Sequence, residues 1–416
     1  MNRLLQLEQE VLAEGREWTR QRLEQRLQAH SDELPTVCPK TGEGLKDVRW
    51  RDLQLRTISG IVKVRVRHGY SPALGRWVCP ARQAWGLKAY QRLSPELESR
   101  LAYTASETTS YEAAAKMAAR WGCTVSDGCI HQHLQSLGEA AGELELPHPP
   151  KPLQEPEFSL VIMLDGWLAR ERGPDWGAGP RKKDPQRILW HEIKSAVIYR
   201  LQQRATTEGG RGMLIEKYVV ATPPETSPVD FGSAVQAEAR RRGLGRAKHV
   251  YLVMDGALWL WELVEDRFAQ AIKTLDFHHA RDHLWALANT LHGEDTPEAR
   301  AWVQPLLQSL RQGREGRVVR HLEQMLNFAD QAQRTPQTQD AVEREVKFFV
   351  KHRDHLHYKA MEKAGAPRGS GAVESLGKQL QIRMRGCGQI WGRPGFTRLL
   401  RVVVLVKNQD EALLWN

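Results

Sequence analysis

Two apolar runs, each ending in an Asp-Gly step, constrain the fold of this chain more than any other feature. Residues 158–164 read Phe-Ser-Leu-Val-Ile-Met-Leu before Asp165-Gly166, and residues 249–254 read His-Val-Tyr-Leu-Val-Met before Asp255-Gly256. Runs of this length and composition are typical of buried strands. Strands are also predicted over residues 188–200, 213–221 and 273–277, and helices over residues 228–242 and 257–274. Three strands, a helix, a strand, a helix and a strand predict an α/β domain with one central sheet.

The two aspartates are predicted to lie where their strands end, which is the edge at which open α/β sheets hold ligands. Carboxylates on neighbouring strands, joined by a third on a helix, are suited to binding a pair of Mg²⁺ ions for phosphoryl transfer. Asp-Gly after a strand is also a strong hairpin signal. That alternative fails at Asp255, because a helical pattern follows it. It stays open at Asp165, where residues 167–172 also fit a returning strand.

The third candidate acid is Glu374, at the start of a predicted closing helix that follows a glycine-rich break over residues 365–371. No other acid occurs until Asp410, and the charged residues between them are all basic: Lys378, Arg383, Arg385, Arg393, Arg398, Arg401 and Lys407. One carboxylate followed by a purely basic run suggests a metal-binding acid beside a polyanion. The alternative is a solvated basic helix face, which is the commoner use of a charge run.

Length and charge narrow the class of protein. A chain of 416 residues is expected to form two or three domains, and a net charge of +10 with a pI near 9.4 favours nucleic acid as partner over a membrane. Five scattered cysteines argue against a secreted disulfide framework, and no long apolar run predicts a membrane span or leader. No glycine-rich loop for a nucleotide triphosphate is present. A cytoplasmic, nucleoid-associated protein is therefore expected.

The residues before the sheet domain predict four segments. Residues 1–35 form a helix, and residues 36–90 a β-rich basic region in which Val62, Val64 and Val66 alternate with Lys63, Arg65 and Arg67. The basic face fits either a phosphate track or an ordinary solvated face. Cys38 and Cys79 each lack the second cysteine of a zinc ribbon, so no structural zinc is expected.

Residues 91–146 are predicted to be helical, with a helix–Gly122–helix pattern that suits a helix-turn-helix for DNA binding, or a plain helical hairpin. The metal-capable side chains in this pattern match no zinc spacing, so packing is their expected use: Cys123, Cys129, His131 and His133. The proline-rich residues 147–157 then predict a stiff linker.

Several motifs, taken in order, resemble the DDE transposases of bacterial insertion sequences, most closely the ISKra type with kinship to the Mutator-like group. They are Asp165-Gly-Trp, Val253-Met-Asp255-Gly-Ala, Asp276-Phe-His-His279, Gly371-Ala-Val-Glu374-Ser and Arg383-Met-Arg-Gly-Cys-Gly-Gln-Ile-Trp391. Singly these motifs are loose, whereas their order and the closing segment are fairly specific. One departure is that relatives often carry paired cysteines in the N-terminal region, where this chain has only Cys38 and Cys79.

The resemblance implies a ribonuclease-H-like catalytic domain over residues 158–280 and 367–416, interrupted by an all-helical insertion over residues 281–366. It implies Asp165, Asp255 and Glu374 as ligands of two Mg²⁺ ions, for which Mn²⁺ is expected to substitute, with His279 near the scissile phosphate. The alternative for the Asp-x-x-His element is an aspartate that caps a helix carrying His279 on its surface. The implied reaction is hydrolysis at transposon ends and joining of 3′-hydroxyls to target DNA, by a homodimer or higher oligomer on double-stranded DNA.

The residues predicted to contact DNA are basic or, for Trp391, carry a ring able to stack on a base: Arg65, Arg67, Arg241, Arg242, Lys378, Arg383, Arg385, Trp391 and Arg393. Trp391 also fits a buried position at a helix end. Two rival functions use the same residues. One is a transposon-derived DNA-binding regulator that has lost catalysis, and the other is a structure-specific DNA nuclease that cleaves without joining.

Overall fold

The computed structural model describes residues 2–145, 156–179, 186–206, 208, 212–326 and 334–415. The chain divides into two compact units, one formed by Met1–Leu144 with Arg401–Asn416 and the other by Glu145–Leu400. Most of the predicted linker, residues 147–157, lies outside the described residues. No helix in the described ranges is long and apolar enough to cross a membrane.

The first unit combines a small sheet with helices. Its elements are α1 (Arg3–Glu33), β1 (Lys46–Thr57), β2 (Gly60–Ser71), β3 (Arg76–Val78), α2 (Pro80–Ala84), α3 (Pro95–Glu107), α4 (Tyr111–Arg120) and α5 (Asp127–Ala140). The three strands form an antiparallel sheet in the order β1-β2-β3. Ser94, Ser110 and Ser126 accept backbone N–H groups at the starts of the last three helices, which explains where each begins.

Alternation along β2 divides its side chains between two faces, as the residue pattern predicts. Val62, Val64 and Val66 are buried, whereas Lys63 and Arg65 are exposed. Helix α1 covers part of the second edge of β2: Gln28 accepts the Arg65 N–H at 2.9 Å, and Glu24 accepts the Lys63 N–H at 2.9 Å. A strand edge paired in this way no longer offers free backbone groups.

The second unit contains the central sheet. Its elements up to the fifth strand of that sheet are β4 (Leu160–Arg172), β5 (Ile188–Arg200), β6 (Arg204–Thr206), β7 (Gly212–Leu214), β8 (Tyr218–Ala221), α6 (Pro228–Arg241), β9 (Val250–Met254), α7 (Leu258–Arg267) and β10 (Ile272–Leu275). The strand order is β10-β9-β4-β5-β8. Strands β10, β9 and β4 are parallel, whereas β4-β5 and β5-β8 pair antiparallel. This mixed five-stranded order is compatible with a ribonuclease-H-like fold.

Two predictions about strands were wrong. Strand β4 does not end at Asp165 but continues through Gly166 to Arg172, because β5 pairs with it along its whole length. The hairpin alternative at Asp165-Gly166 is thereby excluded. The strand predicted over residues 213–221 is two strands, since β7 pairs with β6 in a separate small sheet and only β8 joins the central one.

Helices make up most of the rest of the described chain. They are α8 (Phe277–His292), α9 (Pro297–Arg311), α10 (Glu315–Gln324), α11 (Pro336–Lys351), α12 (Tyr358–Lys363), α13 (Gly371–Met384) and α14 (Arg393–Asn408). Helices α8 to α12 share one hydrophobic core with the sheet, in which Leu252, Leu284 and Phe349 are all fully buried. The helical block therefore depends on the sheet for its core. Its interpretation as an insertion stays a prediction.

Candidate active site

The register of β4 and β9 brings Asp165 and Asp255 together. The last paired residues of these parallel strands are Leu164 and Met254, and the two aspartates follow them directly. Neighbouring strands lie about 4.8 Å apart. Asp255 lies in the turn before α7, where its Oδ1 accepts the Ala257 N–H at 2.9 Å. The sheet backbone therefore sets the two aspartates at one level, although Asp165 lies within a strand rather than at its end.

Asp165 faces the helix that carries Glu374. Side chains two apart on a strand share a face, so Asp165 points to the same side as Trp167. A Cβ placed on Gly377 of α13 would lie 3.8 Å from Trp167 Cδ1, which shows that α13 passes over this face. Glu374 precedes Gly377 by three residues and so lies on the same side of the helix. Glu374 is half-buried.

The electrostatics of Asp165 agree with this geometry. Burial is the main reason that the pKa of Asp165 is raised to about 6, and the N–H of Gly166, at 2.7 Å, opposes the shift. The charges of Asp255 and Glu374 raise this pKa further, while His279 lowers it. Asp255, Glu374 and His279 therefore all lie close enough to Asp165 to act on its pKa.

Asp276 connects the start of α8 with the start of α13. Its carboxylate is fully buried and follows β10 as Asp255 follows β9. One oxygen accepts the N–H groups of His278 and His279, and the other accepts the N–H of Ser370. Asp276 caps its helix, as one interpretation of the Asp-x-x-His element predicts. It also holds a segment 94 residues further along the chain.

Ser370 positions Glu374 through its side chain. The Ser370 hydroxyl donates to Glu374 Oε1 at 2.8 Å, and the Phe277 N–H donates to the Arg368 carbonyl at 2.9 Å beside it. Ser370, whose backbone is bound by Asp276, therefore orients the Glu374 side chain. Neither Ser370 nor its contact with Asp276 was predicted. A serine four residues before Glu374 at a helix start was the available signal.

Helix α11 packs on the loop after Asp255. A Cβ on Gly256 would lie only 2.4 Å from Phe348 Cε2, so a larger residue at this position displaces the ring. Phe348 stacks on His283 with ring centroids 3.8 Å apart, and His283 Nδ1 lies 2.6 Å from Glu345 Oε2. The helical block thus supports the side of the site that carries Asp255 and His279.

The carboxylates of the predicted site decide which cation it could bind. Carboxylate oxygens are the ligands that Mg²⁺ prefers. In the described part of the chain, no group of three or more His, Cys, Asp or Glu side chains is arranged to hold a metal ion. Asp165 and Asp255 are adjacent by register, whereas Glu374 Oε1 is engaged by Ser370. The predicted triad thus consists of a neighbouring pair and a third acid with a partner of its own.

The predicted DNA-contacting residues divide by accessibility. Arg65, Lys378 and Arg385 are exposed. Arg67 donates to the carbonyls of Ser31 and Asp32 at the end of α1. Arg241 and Arg242 both bind the buried Glu238 at 2.7 Å and are mostly covered, so neither offers much surface to DNA.

Trp391, Arg383 and Arg393 belong to a packed cluster beside the end of β4. Arg383 is only 2% exposed and its guanidinium lies 5.5 Å from the Trp391 ring, so it is not at the surface. The Trp391 indole donates to the Met384 carbonyl at 2.6 Å. Arg393 binds the buried Glu171 at 3.0 Å, yet its side chain is 47% exposed. Of the three, only Arg393 retains a large surface for DNA.

Comparisons with known proteins add little to this geometry. No family model matches the chain, and no curated protein matches its sequence. Among solved structures, a chain of the Drosophila P element transposase strand transfer complex is similar over 76% of this chain and 92% of that chain, with 10% identity and a TM-score of 0.34. A TM-score of this size does not establish a shared fold.

Proposed function

We propose that this protein is a metal-dependent DNA phosphoryl transferase of the transposase type, with Asp165, Asp255 and Glu374 as its metal-binding acids. The observation that carries the proposal is the register of β4 and β9, which sets Asp165 beside Asp255 on the face covered by the helix of Glu374. The order of the sequence motifs supports the same function, as does the net charge of +10.

The aspartate pair fits a hard divalent cation such as Mg²⁺ or Mn²⁺. Asp165 is half-buried, its pKa is raised mainly by burial and further by the charges of Asp255 and Glu374, and a cation is the group that compensates such a cluster. Asp165 and Asp255 would hold the metal from the sheet, and Glu374 from α13. When bound, paired Mg²⁺ ions activate an attacking oxygen and stabilise the leaving oxygen.

The remaining residues bind and orient the DNA. His279, half-buried at the start of α8, would hydrogen-bond the scissile phosphate. Arg385 and Arg393 extend a basic surface beyond the site. The Arg385 guanidinium lies over the Trp190 ring, 4.8 Å from its centroid. Water attack on the phosphodiester releases a 3′-hydroxyl, and attack by that hydroxyl on a target phosphodiester joins the strands and releases a new 3′-hydroxyl. A homodimer on double-stranded DNA would bring two ends together.

A cleavage assay tests the proposal. Labelled duplex carrying the terminal inverted repeats of the element is incubated with target plasmid and either Mg²⁺, Mn²⁺ or EDTA. We expect cleaved ends and joined products only with metal. Asp165→Asn, Asp255→Asn and Glu374→Gln should each lower the rate about 10³-fold or more while duplex affinity persists, because each removes a charge that binds metal.

Glu192→Gln is the matched control. Glu192 is an exposed acid whose Oε1 lies 2.3 Å from a Cβ built on Gly166, next to Asp165, yet it has no role in the proposed site. Its variant should cleave as the wild-type protein does. Metal-dependent cleavage without joined products would indicate the structure-specific nuclease instead. Duplex binding without any cleavage would indicate the regulator that has lost catalysis.

A further inference from the structure

A cavity in the first unit lies outside the proposed active site. Its volume is about 470 Å³, and it lies between β1, the turn that precedes α3, and α5. The side chains that matter for its chemistry are Arg56, Lys88, Tyr90, Arg92, Gln132 and Ser136. A cavity of this size is within the range of small-molecule sites and large enough for a nucleobase.

Tyr90 stands at this cavity in an unusual conformation. Its φ of +61° lies in the left-handed region, which costs energy for a residue with a side chain, and the side chain is 94% exposed. A tyrosine so exposed gains little from packing on its own protein. Strain of this kind at an exposed ring is a sign of a functional contact.

The turn that carries Tyr90 is held from both sides. Arg82 donates to the Lys88 carbonyl at 2.8 Å and to the Gln91 carbonyl at 3.0 Å. The Gln91 side chain accepts the Lys88 N–H at 3.0 Å. The ring of Tyr90 is therefore presented by a fixed backbone, which lowers the entropy that is lost when a ligand stacks on it.

The charge of the cavity favours an anion. Arg56, Lys88 and Arg92 line it. Among the described residues that line it, the acid is Glu98, which is 7% exposed and whose oxygens bind His133 Nδ1 at 2.6 Å and the Trp415 indole N–H at 3.0 Å. The acid is therefore satisfied internally. Arg56 donates to the Thr124 carbonyl at 2.8 Å, whereas Lys88 and Arg92 are exposed and can bind phosphate.

We propose that this cavity binds one unpaired nucleotide of DNA, with its base stacked on Tyr90 and its phosphate bound by Lys88 and Arg92. Base–aromatic stacking beside basic residues is the general way in which proteins hold unpaired bases. Gln132 and Ser136, both exposed on the same side of α5, supply hydrogen-bonding groups for the base edge. The choice of DNA as partner rests on the proposed function, whereas the cavity itself does not depend on the active-site acids.

Binding of a probe with one unpaired base tests the inference. The probe is a duplex with a single bulged 2-aminopurine, whose fluorescence falls on stacking, and the fully paired duplex is the reference. The wild-type protein should prefer the bulged duplex. Tyr90→Gly should weaken bulge binding about tenfold and leave paired-duplex affinity within about twofold, because loss of a stacking ring costs roughly 5- to 150-fold.

Two variants keep the test independent of folding. Glycine accepts a φ of +61° without strain, so Tyr90→Gly should melt no lower than the wild-type protein. Tyr90→Phe keeps the ring and should bind the bulge as the wild-type protein does. Equal affinity of the wild-type protein for bulged and paired duplex would overturn the inference, and so would undiminished bulge binding by Tyr90→Gly.

Alkylation of Cys129 gives a second readout. Cys129 lines the cavity and is half-buried, whereas Cys387 is exposed and is removed as Cys387→Ser. The bulged duplex should slow alkylation of Cys129 in this background but not in its Tyr90→Gly derivative. Asp165→Asn should show the same protection. Protection of Cys129 without DNA cleavage by the wild-type protein would support this nucleotide site and contradict the proposed function. Cleavage without protection would support the proposed function and contradict this site.

Discussion

Asp165 and Asp255 are placed by backbone, whereas Glu374 is placed by side chains. The two aspartates follow paired residues of β4 and β9, so ladder hydrogen bonds along both strands fix their spacing. Glu374 depends on a chain of single contacts from Asp276 to the Ser370 N–H and from the Ser370 hydroxyl to Glu374. We therefore expect single substitutions nearby to leave the two aspartates in place, whereas one substitution at Asp276 or Ser370 can move Glu374.

Removing the carboxylate of Asp276 should have the largest effect on stability and on the position of Glu374. Asp276→Ala leaves three N–H groups without their charged acceptor, and hydrogen bonds to charged groups contribute about 1.5–3 kcal/mol each. We expect the free energy of unfolding to fall by about 3 kcal/mol or more, as urea titration would measure. Cleavage should fall as well, because the start of α13 loses its anchor.

Asp282→Asn is the control for that substitution. Asp282 is an exposed acid on the same helix, paired with Arg281 at its surface. Its replacement should change stability by less than about 0.5 kcal/mol. If Asp276→Ala unfolds no more easily than Asp282→Asn, the contact between α8 and α13 is not what orders Glu374.

Asp165→Asn should stabilise the metal-free protein at pH 8. An unfolded aspartate ionises near pH 4, but the folded protein raises the pKa of Asp165 to about 6, mainly through burial. As pH rises from about 4 to 6, ionisation therefore favours the unfolded state. Two pKa units correspond to about 2–3 kcal/mol, which remains lost above pH 6. Asparagine does not ionise and avoids this loss.

Urea titrations in EDTA at pH 4 and pH 8 would measure this difference. The advantage of Asp165→Asn should be present at pH 8 and vanish at pH 4, where the carboxyl is neutral in the folded wild-type protein. Mg²⁺ should then stabilise the wild-type protein and not the variant. If the two proteins differ equally in free energy of unfolding at both pH values, ionisation of Asp165 does not destabilise the folded state.

The strand half of the site was the more predictable half. The apolar runs before Asp165 and Asp255 identified their strands, and their predicted positions at one edge of the sheet implied that the two acids meet. Residues 167–172 fitted a strand in the sequence, but only pairing with β5 shows that they continue β4 past Asp165 rather than return beside it. Partners decide where a strand ends.

The helix half was predictable only in its residue types. Asp276 and Ser370 are far apart in the chain, and no periodic pattern relates a buried cap to a backbone N–H at that distance. The basic run after Glu374 also led to a wrong prediction, that Arg383 contacts DNA. Charge runs are usually exposed, yet Arg383 lies buried against Trp391 while its neighbour Arg385 is at the surface.

Ser370→Ala should give the smallest effect and the most selective one. The variant keeps the Ser370 N–H bond to Asp276 and loses only the hydroxyl that orients Glu374, so stability should fall by about 1 kcal/mol at most. The cleavage rate should fall about 5- to 10-fold, because a misplaced metal-binding acid is felt in the reaction. Ser370→Thr, which retains the hydroxyl, should recover most of the rate.

Ser375→Ala separates this effect from a general weakening of α13. Ser375 is an exposed neighbour of Glu374, and its hydroxyl accepts a hydrogen bond from the Gln379 side chain at 3.3 Å. Its removal should leave both stability and cleavage unchanged. If Ser375→Ala slows cleavage as much as Ser370→Ala does, the Ser370 hydroxyl has no specific role, and Glu374 is positioned by the helix backbone in the same way that Asp165 and Asp255 are positioned by their strands.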